Sequence, residues 1–491
     1  MPAKLAGFPI NDGGMFITMI RDLRHNGYSL PIFTTYNNQN IPFSYPPLPF
    51  FIAGMAADFL HASDLSVLLW LPAIINILLI PAFALLANAI LKSRLKSAVA
   101  TIFFALTPLS MDWYLMGGGL TRGIGQLFLI LTSYYTFQLF NNRTTRSLIL
   151  TIICGALVVL SHPESALLTL TSAAIIWIFS SRSKRTIFDV FLVCAGVTLI
   201  CGPWLFYVLR LHGLTPFINA MQTNGNSLFL WTALFSFDFA QETGLQILGF
   251  LGLIGLFVKL GQNKYFLPAW LIVPFFINPR SSSRAAIIPL AILAAISLLD
   301  VILPAIHGKP GQKFRRRYLV TGLFLGYLLS YLLFNAFTLD LKLANNRLSN
   351  SDQDAMAWIR QNTPNNSKFI IITGESQMMR DPVQEWFPTI TERRSQTTLQ
   401  GLEWVWGPKF IDSILSYQGL INCILQDIAC IKNQTARLGI SYDHVYIKKV
   451  ADENCPETEI CQLEQALIKE LRNSTEFRLA YENETTAIFK K

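Results

Sequence analysis

Charged residues are scarce in this sequence. They make up 14% of its 491 residues, whereas 52% of the residues are apolar and the mean hydropathy is +0.41. A soluble globular protein of this length does not have such a composition, so that class is excluded. The seven cysteines include no CxxC pair, which excludes the zinc sites built on that spacing. No internal repeat relates the two halves of the chain, and no series of charged residues lies within its apolar runs.

Long apolar runs account for most of the chain between residues 65 and 339. Ten of them are candidate membrane spans, although several are shorter than the ~20 residues that usually cross a bilayer. The fourth and fifth runs are also compatible with one hairpin that does not fully cross. The sequence therefore predicts a polytopic α-helical membrane protein with about ten spans, at residues 65–91, 97–116, 123–140, 148–161, 165–180, 187–209, 245–260, 265–278, 285–303 and 318–338.

Lysine and arginine alternate between the connections that join these runs. Because cytoplasmic loops hold the excess of Lys and Arg, the basic connections are predicted to face the cytoplasm and both termini to face outward. The same loops account for the net charge of +9, which indicates contact with anionic lipid head groups and not with nucleic acid. The basic connections are residues 92–96, 141–146, 181–185, 259–264 and 309–317.

The first 64 residues are then predicted to form an extracytoplasmic loop. Met15–Leu23 has helical spacing with one apolar face, and Leu48–Leu60 is too short to span, so it is predicted to lie in the membrane interface. A chain that begins outside must be translocated from its N-terminus, yet residues 1–11 contain no signal peptide. We therefore expect one more transmembrane helix upstream of Gly7.

Two short motifs in this loop, Pro9-Ile-Asn-Asp-Gly-Gly14 and Tyr45-Pro-Pro-Leu48, precede the helical bundle. An acidic residue at the head of a first outer loop, interfacial helices, a long bundle and a C-terminal soluble domain resemble the GT-C class of membrane glycosyltransferases. The motifs are most similar to those of uncharacterised bacterial members. The resemblance covers the layout of nearly the whole chain, but no motif in it names a substrate.

This resemblance implies transfer of a sugar from a polyprenyl-phosphate donor to a glycan, lipid or protein acceptor on the outer face of the plasma membrane. It implies that Asp12 is the general base or a ligand of a divalent cation, Mg²⁺ or Mn²⁺. A carboxylate can accept the proton that a hydroxyl acceptor loses as it attacks the anomeric carbon. The alternative is structural, because Asn11–Gly14 is also typical of a capping turn that opens the helix at Met15.

Asp112 is the second catalytic candidate. No DxD or ExD pair occurs in an outer loop before the C-terminal domain, and Asp112 is predicted at the outer end of a span, where a charge favours a polar cavity. Alternatively, Asp112 lies at the interface beside Trp113 and Tyr114, in an aromatic belt.

His162 and Glu164 occupy a predicted outer turn and, with Tyr45, are expected to line the active cavity. Asp12, Asp112 and His162 together form a candidate metal site of two carboxylates and an imidazole. The alternative for Glu164 is a simple helix start after Pro163, with the carboxylate near the positive end of the helix dipole.

Three arginines are exceptions to the scarcity of basic residues in the predicted outer loops. Arg280 and Arg284 are the candidates for binding the donor phosphate, because guanidinium groups donate bidentate hydrogen bonds to phosphate, and Arg122 is a weaker candidate. The alternative for each is an arginine that extends to the lipid head groups.

From residue 340 onward the charge density rises and the apolar runs shorten, which predicts a soluble extracytoplasmic α/β domain over residues 340–491. A helix is predicted up to Asn362, strands at Phe369–Thr373 and Tyr442–Ile447, a helix at Cys461–Asn473, and a closing hairpin near the C-terminus.

This domain holds four cysteines, and their even number on the outer side suggests two disulfides among Cys423, Cys430, Cys455 and Cys461, with three possible pairings. Residues 381–388 and 400–404 combine carboxylates with tryptophan. They are interpreted either as a sugar-recognition surface that caps the membrane cavity and selects the acceptor, or as ordinary core residues.

Two other functions are compatible with the pattern. One is a flippase or transporter of lipid-linked saccharide, although the missing repeat and the missing intramembrane charges weigh against it. The other is an inactive scaffold of the cell envelope. The identity of the sugar and of the acceptor does not follow from the sequence.

Overall fold

The computed structural model describes residues 2–180, 183–223, 242, 245–307, 314–449 and 459–491. Helices make up nearly all of the described chain up to Asn345, and a five-stranded sheet with flanking helices follows. The coarse prediction, a set of apolar helices with a C-terminal sheet domain, is confirmed.

The N-terminal region is built from short elements. The helices predicted at residues 15–23 and 48–60 are both present, and they pack together through Phe16 and Phe50, whose ring centroids are 5.5 Å apart. The two short strands form an antiparallel pair. The elements are α1 Pro2–Ala6, α2 Gly14–His25, β1 Phe33–Thr34, a 3₁₀ turn Tyr36–Asn38, β2 Ile41–Pro42 and α3 Leu48–Leu60.

The helical bundle follows from residue 64. Serine caps explain where several helices start: the Ser63 hydroxyl accepts a hydrogen bond from the Ser66 N–H at 3.1 Å. A π-helical turn, Leu298–Ile302, joins α14 to α15. The helices are α4 Asp64–Leu91, α5 Arg94–Leu106, α6 Asp112–Leu115, α7 Gly119–Asn142, α8 Thr145–Val159, α9 Pro163–Phe179, α10 Lys184–His212, α11 Thr215–Gln222, α12 Ile247–Gly261, α13 Phe266–Ile277, α14 Ser282–Ser297, α15 Leu303–His307 and α16 Phe314–Asn345.

Within the described residues, four helical stretches are long and apolar enough to cross a membrane. Five further apolar helices are shorter, including the adjacent pair α8 and α9. The predicted number of about ten spans is therefore not confirmed. The four long stretches are Asp64–Leu91, Lys184–His212, Ser282–Ile306 and Tyr318–Asn345.

The predicted span at residues 97–116 is wrong as a single helix. Helix α5 ends at Leu106, and Thr107 has an extended backbone with ψ 127°. The cause is Pro108, because the residue before a proline is disfavoured in the helical region and proline itself has no N–H to donate. A 3₁₀ turn, Pro108–Ser110, and the short helix α6 follow, so Asp112 lies on a short connecting element.

Helix α14 lies at the centre of the bundle and is almost wholly buried. It packs against α12, where a Cβ on Gly255 would lie 2.2 Å from the Leu293 carbonyl oxygen, so only glycine permits this approach. On α13, the buried Trp270 donates its indole N–H to the Ser172 hydroxyl of α9 at 2.9 Å. Small residues on the neighbouring helices thus allow close packing in the bundle.

The C-terminal domain contains a sheet in the order β4-β3-β5-β7-β6. Strand β3 pairs in parallel with β4 and β5, whereas β7 pairs antiparallel with β5 and β6. The predicted strands and closing hairpin are confirmed. The elements are α17 Asn350–Asn362, β3 Lys368–Ile372, a 3₁₀ turn Met378–Arg380, α18 Pro382–Thr391, β4 Arg394–Ser395, α19 Glu403–Trp406, α20 Lys409–Ile421, a 3₁₀ turn Asn422–Leu425, α21 Ile428–Leu438, β5 His444–Lys448, α22 Glu459–Asn473, β6 Arg478–Glu482 and β7 Thr486–Lys490.

One disulfide is present in this domain, between Cys423 and Cys430, with their Cα atoms 5.7 Å apart. Cys455 and the side chain of Cys461 lie outside the described part of the chain. A second disulfide between these two cysteines therefore stays a prediction.

Candidate functional site

Asp12 lies in the link between α1 and α2, where its carboxylate is held by the start of α7. Its Oδ1 accepts a hydrogen bond from the Gly118 N–H at 2.8 Å, and its Oδ2 accepts one from Arg122 Nη1 at 3.3 Å. The N-cap of α2 is Gly13, which contributes no side-chain bond, so Asp12 does not cap this helix. The predicted capping of α2 by Asp12 is therefore wrong, and the Asp12 carboxylate, 13% exposed, faces α7.

Two glycines at the start of α7 allow this contact. The Gly117 N–H donates to the Ile10 carbonyl at 2.9 Å, which brings the two chain segments together. A Cβ on Gly117 would lie 1.9 Å from the Asp12 carbonyl oxygen, and a Cβ on Gly118 would lie 2.3 Å from Asp12 Oδ2. Any larger residue at either position would displace Asp12.

One face of α7 connects Asp12 to the rest of the site. Gly118, Arg122 and Gln126 are four residues apart, so they lie along the same side of the helix. Gln126 donates its side-chain N–H to the Arg284 carbonyl at 3.0 Å. Gln126 was not among the sequence-predicted site residues. Its spacing of four residues from Arg122, within an apolar run, could have indicated that both lie on one face of a helix.

Glu164 is held by the two arginines that were predicted to bind phosphate. Arg284 Nη1 lies 2.9 Å from Glu164 Oε2, and Arg280 Nε lies 3.8 Å from Glu164 Oε1. The Arg284 side chain is 15% exposed and that of Arg280 is 56% exposed. Pro163 and Glu164 also form the first turn of α9, so the structural interpretation of Glu164 is confirmed beside this ion pair.

Tyr45 and His162 pack together near Glu164. Their ring centroids are 6.3 Å apart, and the Tyr45 hydroxyl lies 3.2 Å from the Thr121 hydroxyl. Burial raises the pKa of Tyr45 to about 12, so this side chain is a neutral hydrogen-bonding group. His162 is the N-cap of α9, and its Nδ1 accepts the Ser165 N–H at 3.3 Å.

Asp112 lies on α6, apart from the Asp12–Gly118 contact, among aromatic and basic groups. The neighbouring Trp113 ring has the guanidinium groups of Arg122 and Arg380 at 5.1 and 5.0 Å from its centroid. The positive charge of Arg122 is thus near both aspartates. Arg380 belongs to the C-terminal domain and was not among the sequence-predicted residues.

The predicted metal site of Asp12, Asp112 and His162 is not formed. No group of three or more His, Cys, Asp or Glu side chains in the described residues is placed to hold a metal ion. Two members have other contacts: Asp12 accepts from Gly118 and Arg122, and His162 accepts from Ser165 as a helix cap. The third, Asp112, lies on the separate short helix α6. Asp12, Asp112 and His162 are therefore not placed to bind one metal ion together, and the reaction steps proposed for this chain involve none.

The C-terminal domain adds Glu385 to the site. Its Oε1 accepts hydrogen bonds from the Gly13 N–H at 3.2 Å and the Met15 N–H at 3.0 Å. Burial, and next the negative charge of Asp12, raise the pKa of Glu385 to about 8. Residues 381–388 were predicted to be either a sugar-recognition surface or core, and no local pattern indicates this contact, because Glu385 and Gly13 are 372 residues apart.

Trp386 and Trp404 are both buried, so they do not form an exposed platform for sugar stacking. The Trp404 ring packs on Tyr45 at 5.6 Å, and the neighbouring Glu403 keeps its Oε2 shielded from solvent without a hydrogen-bond partner among the described residues. Burial raises the pKa of Glu403. The core interpretation of both tryptophans is thus confirmed. The candidate site comprises Asp12, Tyr45, Arg122, His162, Glu164, Arg280, Arg284, Glu385 and Glu403.

Three solved structures resemble the chain over nearly its full length. Archaeal oligosaccharyltransferase AglB from Archaeoglobus fulgidus, in complex with an inhibitory peptide and a dolichol-phosphate, has a TM-score of 0.56 at 13% identity; the match covers 98% of this chain and 71% of AglB. ArnT from Cupriavidus metallidurans, bound to undecaprenyl phosphate, has a TM-score of 0.57 at 12% identity and covers 99% and 94%. Arabinofuranosyltransferase AftD from Mycobacteria has a TM-score of 0.59 at 15% identity and covers 100% and 39%.

This chain has the GT-C fold. The prediction made from the Asp12 and Tyr45 motifs is thereby confirmed at the level of the fold. At 12–15% identity the likeness concerns the GT-C architecture alone, and this chain spans less than half of AftD. No protein-family model and no curated protein sequence matches the chain.

Proposed function

We propose that this protein is a membrane glycosyltransferase that moves a sugar from a polyprenyl-phosphate donor to an acceptor hydroxyl or amide on the outer face of the plasma membrane. The observation that carries the proposal is the Asp12 carboxylate, which is oriented by Gly118 and Arg122 within a group of arginines. The GT-C fold supports it, since AglB and ArnT were solved with polyprenyl-type phosphates. The four long apolar helices support a multi-pass membrane location. We place the C-terminal domain outside on the distribution of Lys and Arg among the loops.

Asp12 has the role of general base in this proposal. An acceptor hydroxyl attacks the anomeric carbon and transfers its proton to the Asp12 carboxylate, while the bond between the anomeric carbon and the phosphate oxygen breaks. The Gly118 N–H and Arg122 fix the carboxylate in one orientation, so little reorganisation accompanies proton transfer. The polyprenyl phosphate leaves with the bonding electron pair.

The negative charge on the departing phosphate requires cationic groups. Arg280 and Arg284 supply them, since both lie on the loop and first turn that lead into α14 and both face Glu164. The Glu164 carboxylate forms ion pairs with both guanidinium groups. Donor binding then requires that the phosphate share or replace this partner.

Sugar transfer by the purified protein tests the proposal. Wild type is compared with Asp12→Asn on a panel of polyprenyl-phosphate sugars, with and without Mg²⁺ or Mn²⁺. We expect turnover by the wild type and a loss of ~10²-fold or more in the variant, the usual effect of losing a general base. Asp58→Asn is the matched control, because Asp58 belongs to the same region but forms an exposed ion pair with Arg24.

The possible outcomes separate the parts of the proposal. Equal turnover by wild type and Asp12→Asn would overturn the role of Asp12 and leave the transferase. Absence of turnover on every donor, with binding of lipid-linked sugar retained, would overturn the enzyme and favour a flippase or a scaffold.

A further inference from the structure

Helix α2, which follows Asp12, receives its N-terminal cap from the C-terminal domain. Its own N-cap, Gly13, offers no side chain, so the first N–H groups need acceptors from elsewhere. Glu385 of α18 supplies one, because its Oε1 accepts from both Gly13 and Met15.

Further hydrogen bonds from the same region reach both sides of Asp12. The Trp386 indole N–H donates to the Asn11 carbonyl at 2.9 Å, and the Thr389 hydroxyl donates to the Gly14 carbonyl at 2.7 Å. The Tyr36 hydroxyl donates to the Glu385 carbonyl at 2.8 Å, which fixes α18 to the N-terminal region. Residues 11, 13, 14 and 15 are therefore all held by α18, and Asp12 lies between them.

The contact also explains the glycine pair after Asp12. A Cβ on Gly14 would lie 2.2 Å from the Glu385 carbonyl oxygen, so only glycine permits α18 to approach this closely. Gly13 has φ 131°, a conformation that other residues rarely adopt. The two glycines after Asp12 are thus required by the contact with the C-terminal domain as well as by the start of α2.

We propose that Glu385 is a positioning residue for Asp12, so that the C-terminal domain forms part of the transfer site and is not an accessory module. The inference rests on the proposed function, in which Asp12 accepts the proton. Glu385 acts through the backbone: by holding the N–H groups of Gly13 and Met15, it sets where the Asp12 carboxylate lies relative to Gly118 and Arg122. A displacement of about 1 Å at a reacting group costs about 10²-fold in rate.

Three variants test this proposal. Glu385→Ala removes the acceptor and is expected to lower kcat by about 10- to 100-fold with little change in the KM for the donor, because the arginines that hold the phosphate are not altered. Glu385→Gln keeps an oxygen that accepts both N–H groups, so it is expected to restore most of kcat. Trp386→Phe removes only the bond to the Asn11 carbonyl and is expected to lower kcat to a smaller extent.

Asp427→Ala is the matched control. Asp427 caps α21 in the same domain, where its Oδ1 accepts the Cys430 N–H at 2.8 Å, so it also removes a carboxylate cap. It does not touch the Asp12 region, and kcat is expected to stay at the wild-type level.

The outcomes distinguish this inference from the proposed function. Wild-type kcat in Glu385→Ala, beside an inactive Asp12→Asn, would overturn the positioning role and leave the transferase intact. Wild-type kcat in Asp12→Asn would overturn the role of Asp12 itself. If Glu385→Ala does not fold, the other two variants test the proposal. A high kcat in Glu385→Gln together with a reduced kcat in Trp386→Phe supports the positioning role. Values of kcat that are equally low, or equally unchanged, in both variants overturn it.

Discussion

Replacing Gly118 by alanine places a methyl group against the Asp12 carboxylate. The Cβ would lie 2.3 Å from Oδ2, 2.9 Å from Cγ and 3.0 Å from Arg122 Nη1. Ordinary van der Waals contact begins near 3.4 Å, so the carboxylate must move by about 1.1 Å. Such a shift breaks the 2.8 Å bond from the Gly118 N–H and separates Asp12 from its orienting partners.

The expected result is a loss of activity without a matching loss of fold. Gly118 has φ −65° and ψ −12°, which alanine adopts freely, and the clash is with a side chain, so the backbone does not have to move. We expect kcat for sugar transfer to fall by about 10²-fold, equivalent to about 2.7 kcal/mol of transition-state stabilisation. The free energy of unfolding should fall by only about 1.5 to 3 kcal/mol, the value of a hydrogen bond to a charged group.

The assay compares single-turnover transfer and thermal unfolding in detergent for wild type, Gly118→Ala and Gly202→Ala. Gly202 lies on α10, and a Cβ there would meet no atom within 4 Å, so this control is expected to keep full activity. Combining Gly118→Ala with Asp12→Asn should give no further loss, because both act on the same carboxylate. Wild-type kcat in Gly118→Ala would show that the orientation of Asp12 does not set the rate.

Two further predictions concern the carboxyl groups of Glu164 and Glu385. Glu164→Gln removes the negative charge beside Arg280 and Arg284, so the donor phosphate should bind more tightly and the KM for the donor should fall about two- to fivefold in a steady-state assay. For Glu385, burial raises the folded-state pKa to about 8, above the ordinary value of 4.5, so the folded protein holds a proton that the unfolded chain has lost. Stability should therefore fall as the pH rises between those values, by up to about 1.4 kcal/mol per pH unit, and Glu385→Gln should flatten this dependence of the melting temperature.

Opposite results would contradict each of these predictions. A higher KM in Glu164→Gln would mean that Glu164 orients the arginines for the phosphate and does not compete with it. A pH dependence that is unchanged in Glu385→Gln would mean that another buried acid, such as Asp381, controls it, since burial raises the pKa of Asp381 to about 6.

Elements that depend on neighbouring residues were predictable from the sequence. The apolar run at residues 65–91 predicted α4, which begins at Asp64 after the Ser63 cap. The alternating strands gave the hairpin β6–β7, which pairs as predicted. The break of the run at residues 97–116 had a local signal too, Pro108, but the apolar composition on both sides concealed it.

The site shows the limit of such reasoning. The GT-C resemblance made Asp12 and the Tyr45 motif candidates, and Arg122 and Glu164 were candidates because charged residues are conspicuous at the predicted outer ends of apolar runs. Their partners were not predicted: Arg284 was assigned to phosphate but pairs with Glu164 at 2.9 Å.

The class of protein was predictable from the sequence alone, because hydrophobicity and loop charge are properties of each segment and need no knowledge of the others. The motif around Asp12 was recognisable too, since the GT-C resemblance depends on residues that are close in the chain. The surroundings of Asp12 depend on the tertiary fold. Gly118 is 106 residues from Asp12, and Glu385 is 372 residues from Gly13, so no local pattern encodes which of these groups will lie within hydrogen-bond distance of each other.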